Sequence, residues 1–171
     1  GLDIDKPGTG KHVAQVASEY GGYVVKADSK FKTLLNLVNA LKADPKSVTF
    51  AGGSAPGSLD HIKIALLGKA IGVVPTEMVF VPFQGGGEAI TALLGGHLEV
   101  AALDVSEISG QLEARKVRML GVMSEKRLNG FPDLPTLTEQ VVDRVFPVWR
   151  GVYMAPDVPA EALGAARAIE C

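Results

Sequence analysis

The sequence predicts an α/β fold, with layers of helix, sheet and helix around a mainly parallel sheet. Three observations carry this expectation. Short β-branched runs alternate with apolar segments of helical period along the chain, two glycine-rich loops each stand between a strand and a helix, and the strands read as unbroken apolar stretches. Unbroken apolar strands belong to sheets covered on both faces, and strand–helix alternation implies right-handed crossovers between parallel neighbours.

The elements follow in order. Tyr23-Val24-Val25 reads as a strand, and Leu34, Leu35, Leu37, Val38 and Leu41 recur at helical spacing and stop before Pro45. Val48-Thr49-Phe50-Ala51 is the next strand. The loop Gly52 to Ser58 leads into a helix through Ile62, Ile64, Leu66, Leu67 and Ala70 that ends at Gly72. Met78 to Val81 is a strand, followed by the loop Pro82-Phe83-Gln84-Gly85-Gly86-Gly87 and a helix from Glu88 to Leu94. Leu98 to Leu103 is a strand closed by Asp104, Ser106 to Ala114 a helix, and Arg118 to Met123 a strand. Thr136-Leu137-Thr138-Glu139 has the form of a capping box and announces one more helix.

A chain of 171 residues fits one ordinary domain, and a 47% hydrophobic content suits a packed interior, built of Ala, Val, Leu and Ile because only 6% is aromatic. Seventeen basic residues against 19 acidic ones leave a net charge of -2, so no basic face exists for a phosphate backbone and nucleic acid is excluded as a partner. Apolar stretches break well short of the roughly 20 residues that span a bilayer. The single cysteine, Cys171, is the last residue and can pair only with another chain. Gly1-Leu2-Asp3-Ile4-Asp5 has neither part of a signal peptide, and a helix opening at Pro159 runs to Cys171 without a capping glycine. Both ends lead to the expectation of a fragment.

Several motifs suggest chemistry and stop short of it. Gly8-Thr9-Gly10-Lys11-His12 looks like the tail of a P-loop, but Asp5 replaces the first glycine, His12 the magnesium-holding hydroxyl, and no strand precedes it; a polar lead-in is the plainer reading. Gly52-Gly53-Ser54-Ala55-Pro56-Gly57 resembles a nucleophile elbow with Pro56 at the second glycine, which makes a Ser54 hydrolase the enzyme alternative. Backbone amides at a helix start, approached closely by an anion, explain this loop better, with Ser54 or Ser58 as plain helix caps on the blander reading. Gln84-Gly85-Gly86-Gly87-Glu88 repeats the architecture, and the third glycine of a dinucleotide fingerprint is absent at Ile90. Both loops should stand at the carboxyl edge of one sheet as adjoining anion nests, with Asp104 beside them as a ligand acceptor or a helix cap. His61 and His97 lack partners at metal-ligand spacing, and no metal or cofactor is expected.

Ala27-Asp28-Ser29, Gly52 to Gly57 with Asp60-His61, Val81 to Ala89, Leu93-Leu94-Gly95-Gly96-His97, Ser124 to Arg127, Pro132 to Leu137 and Trp149-Arg150-Gly151 closely resemble, in order and spacing, the extracytoplasmic receptors of tripartite tricarboxylate transporters, the Bug family. The resemblance covers about Ser18 to Ala160. It implies a periplasmic binding protein of type II-like fold, whose two α/β lobes close on a small carboxylate that is handed to membrane permease subunits. On that reading residues 1–25 are a remnant of the first lobe, 26–148 the second, ligand-binding lobe, and 149–171 the crossover and return, with Tyr23-Val24-Val25 as the other crossover. The implied ligand-binding set is Gly53, Ser54, Ala55, Gly57, Phe83, Gln84, Gly85, Gly86, Gly87 and Asp104. The expected protein is a periplasmic binder, not an enzyme, and the exposed apolar surface of a lobe without its partner would drive self-association. An effector-binding domain of a transcription regulator shares the architecture and is the other alternative, although no helix-turn-helix accompanies it.

Overall fold

Tyr23, Val24 and Val25 lie at the centre of a sheet with none of their surface exposed. The structure, a computed structural model, describes residues 10–168. Cys171 and the Gly8-Thr9 part of the P-loop-like segment lie outside the described residues. The chain forms two compact units, Tyr20–Pro147 and a second made of Gly1–Glu19 with Val148–Cys171.

The larger unit contains β2 (Thr49–Gly52), β3 (Val79–Pro82), β4 (Val100–Asp104), β5 (Val117–Val122) and the later part of β1 (Lys11–Lys26), in the order β3-β2-β4-β1-β5. Its helices are α1 (Leu34–Ala43), α2 (Leu59–Ile71), α3 (Gly86–Leu94) and α4 (Val105–Glu113). Alternation along each strand divides the interior in two. Tyr23, Phe50, Val100 and Ala102 join Leu34, Leu37, Leu41, Ile64 and Leu67 of α1 and α2 on one face. Val24, Ala51, Ala101 and Leu103 join Ala89, Ile90, Leu93 and Ile108 of α3 and α4 on the other. The expected three layers are therefore present.

The sheet is mixed, where a mainly parallel one was expected. β2 runs parallel to β3 and β4, whereas β1 lies antiparallel between β4 and β5, pairing Tyr23 with Ala102 and Val24 with Met119. Helical crossovers align β2, β3, β4 and β5; nothing in the local pattern determines the direction in which β1 inserts among them.

Local signals are mostly met. Thr33 caps α1 in a reciprocal box with Asn36, and α2 ends on Gly72 in the left-handed region at φ 78°. The helix expected after Thr136 does not form. Its box closes, with Glu139 N–H donating to Thr136 Oγ1 and Thr136 N–H to Glu139 Oε2, but only turns follow. The Gln140 amide instead reaches the Leu120 carbonyl, and β-branched Val141 and Val142 favour leaving the helix.

In the smaller unit the early part of β1 pairs with β6 (Pro147–Met154), and α5 (Ala160–Ala168) follows. Lys11 and His12, read as a polar lead-in, are strand residues here. Lys11 Nζ donates to the Val158 carbonyl, and the His12 ring meets Trp149 and Tyr153 edge-on.

Candidate functional site

Parallel pairing of β2 with β3 places Gly52 opposite Pro82, so both glycine loops begin at one level of the sheet edge. Phe83 N–H donates to the Gly52 carbonyl at 2.8 Å and ties the loops together. They then touch. A Cβ on Gly53 would lie 2.3 Å from the Gly86 nitrogen and 2.4 Å from the Gly85 carbonyl carbon, a space only hydrogen can fill. The two adjoining helix starts inferred from sequence are thus brought side by side by the fold.

Their amides are not equally available. Gly53 N–H donates to Asp60 Oδ2 at 2.8 Å, Gly57 N–H to His61 Nδ1 at 2.8 Å, and Gln84 N–H to Glu88 Oε2 at 3.1 Å. The amides of Ala55, Gly86 and Gly87 meet no acceptor among the described residues. Gly86 and Gly87 open α3, where first-turn amides have no intrahelical acceptor and the dipole favours an anion. Phe83 packs partly into the α3/α4 core, and Gln84 is exposed.

Ser54 belongs to the scaffold of its loop. Its Oγ donates to Asp60 Oδ2 at 3.1 Å and accepts from Asp60 N–H at 3.3 Å, so Ser54 caps α2 from a distance while Ser58 makes no side-chain cap bond. His61 accepts from Gly57 and stacks on Phe80 at 4.7 Å. One hydroxyl bond goes to the Asp60 carboxylate and the other comes from the Asp60 backbone N–H, and no histidine bonds to Ser54 among the described residues, so the Ser–His pair of a hydrolase is not formed.

Behind the loops lies a residue that sequence reasoning missed. Lys63 is fully buried, and its Nζ donates to Asp60 Oδ1 at 2.8 Å and to Asp104 Oδ1 at 2.6 Å. Burial works against its charge, but the Asp104 and Asp60 carboxylates outweigh it and hold the ammonium's pKa above the ordinary value. Tyr23 donates its hydroxyl to the Lys63 carbonyl, and burial drives the Tyr23 pKa upward. The signal was available. Asp60, Lys63, Ile64, Leu67 and Gly68 all face inward, so a lysine occupied an apolar stripe three residues after an aspartate.

Asp104 is buried at the end of β4, held by Lys63, and it caps α4 in a reciprocal box with Glu107. Glu107 Oε2 accepts from Asp104 N–H at 3.0 Å, and Oε1 lies where a Cβ on Gly86 would stand 2.3 Å away. Desolvation raises the Glu107 pKa, and the Asp104 and Asp60 charges add to it against the opposing Asp104 N–H bond and Lys63. A separate groove of about 780 Å³ runs beside β5, lined by Leu112, Met119, Phe131 and Leu134; none of the anticipated ligand residues lines it.

A family profile described as "Tripartite tricarboxylate transporter family receptor" matches residues 4–167. The chain belongs to this family. The chain is 30% identical over 138 residues to a UPF0065 protein of Agrobacterium vitis, covering 80% of this chain and 39% of the relative. It spans about two fifths of the length of the curated relatives it matches. A TctC solute-binding protein from Polaromonas superposes with a TM-score of 0.72 at 29% identity, over 92% of this chain and 52% of that one. MatC from Rhodopseudomonas palustris, solved with bound malate, gives 0.81 at 20% identity over 95% and 55%, a likeness of fold. The family consists of receptors, not enzymes. Among the described residues no helix is long and apolar enough to cross a membrane, and no group of three or more His, Cys, Asp or Glu could hold a metal ion.

Proposed function

We propose that this receptor captures a small carboxylate in the periplasm at the paired glycine loops and delivers it to the membrane permease subunits of a tripartite tricarboxylate transporter. The observation that carries the site is the contact of the Gly53 and Gly85–Gly86 backbones, which gathers the open amides of Ala55, Gly86 and Gly87 at one sheet edge. Malate bound to a protein of the same fold supports the ligand class. Tyr20–Pro147, which holds every residue of this set, would be the ligand-binding lobe. Gly53, Gly57 and Asp104 support the loops through their partners Asp60, His61 and Lys63.

Amides at helix ends contribute about 0.3–2 kcal/mol each, so these few donors give on the order of 4 kcal/mol, a millimolar affinity. Amide NMR of the labelled chain detects binding of that strength. Titration with L-malate should shift Ala55, Gly86 and Gly87 progressively, and Gly87→Asp, whose side chain enters open space, should weaken the response by placing a fixed anion beside the nest. Resonances of those three residues that stay still up to about 50 mM malate, well above that affinity, would refute the site.

A further inference from the structure

Glu107 sets an unexpected boundary for this site. Oε1 packs on the backbone of Gly86, the residue whose amide opens α3, while Oε2 is tied to Asp104 N–H. The carboxylate cannot turn away without opening the box that caps α4. Asp104 and Asp60 stand behind it with Lys63 as the one buried ammonium between them. Glu88, on the first turn of α3, points its carboxylate at the Gln84 amide. Asp60 and Asp104 therefore hold the buried Lys63 ammonium between them, while the Glu107 and Glu88 carboxylates stand by the start of α3 without such a partner in contact.

A bare carboxylate entering there gains amide donors and meets the Glu107 charge. An acid carrying a hydroxyl or ammonium on the carbon next to its carboxylate meets both groups, because its carboxylate takes the α3 amides and its donor takes Glu107 Oε1. Resting on the reading of the glycine loops as the carboxylate site, we propose that Glu107 is the specificity-determining residue of this receptor and selects 2-hydroxy and 2-amino carboxylates over acids that lack a neighbouring donor.

The test compares L-malate, L-aspartate and succinate by amide NMR titration of the chain and of Glu107→Gln. Glutamine serves a capping box as glutamate does, so the variant keeps the α4 start while losing the charge. Malate and aspartate should bind the original chain about tenfold tighter than succinate, the difference a charge-assisted hydrogen bond makes. In Glu107→Gln succinate should gain, aspartate should lose most, and the three should converge. If none of the acids moves the Ala55, Gly86 and Gly87 amides, the site itself is wrong. Binding of succinate as tightly as malate, or a preference that survives in Glu107→Gln, overturns the role of Glu107 alone.

Discussion

Replacing Lys63 with methionine keeps an unbranched side chain as far as the ε carbon and removes the charged end. Lys63 is fully buried, and both of its partners are almost so, with Asp60 7% and Asp104 5% exposed. The substitution leaves two carboxylates buried without their counter-ion, which costs about 3–5 kcal/mol when one member of a buried ionic cluster is removed. That is a large share of the roughly 5–15 kcal/mol that stabilises a domain. Part of the loss should escape as protonation. The orphaned carboxyls would titrate above their unfolded value, so the native state binds more protons and the variant's stability falls as pH rises through that window. Native-state hydrogen exchange at Ala101, Ala102 and Leu103 of β4 reports this unit by itself. The expected result is faster exchange by a factor of about 100–5,000 at pH 7, much less at pH 4. Adding Asp60→Asn and Asp104→Asn should recover most of the loss, since amides carry no charge to compensate. A single Lys63→Met change costing under about 1 kcal/mol, within the range of ordinary surface substitutions, would refute the reasoning, as would a triple variant no more stable than the single one.

Two further outcomes follow from the same geometry. Gly53→Ala puts a methyl 2.3 Å from the Gly86 nitrogen, so the loops must part, at about 1–3 kcal/mol of strain; a lowered melting temperature with shifted Gly86 and Gly87 amides is expected, and unchanged amides would deny the contact. Glu139 has a pKa held below the ordinary range by the Thr136 amide first and by Arg127 next. Its contribution is present above the unfolded carboxylate value and disappears as pH falls through the lowered one. Thermal melts of the chain and of Glu139→Gln between pH 3 and 7 should therefore converge in acid, and parallel curves would count against the box.

Much of this fold could be read along the chain. Both glycine loops stand between a strand and a helix, as expected, because strand, loop and helix are local patterns of period and turn chemistry. Gly72 ends α2 for the same kind of reason, since a left-handed C-terminal residue is a local requirement. The Thr136 box shows where local chemistry runs out. It forms bond for bond, yet no helix follows, because propagation depends on residues beyond it and on what Gln140 finds in β5.

The sequence by itself determined the α/β class and the position of both glycine loops, consequences of periodicity and turn chemistry. The folded loops decided which amides meet an acceptor, and tertiary structure alone decided which charges meet. Gly53 and Gly57 looked equivalent to Gly86 in the chain, but their amides are taken by Asp60 and His61. Lys63 and Asp104 are 41 residues apart and meet only because parallel pairing sets β4 beside β2, with α2 packed above them. Hydrogen bonds and ion pairs act over a few ångströms, and distances of that kind between remote residues exist only once the sheet has formed.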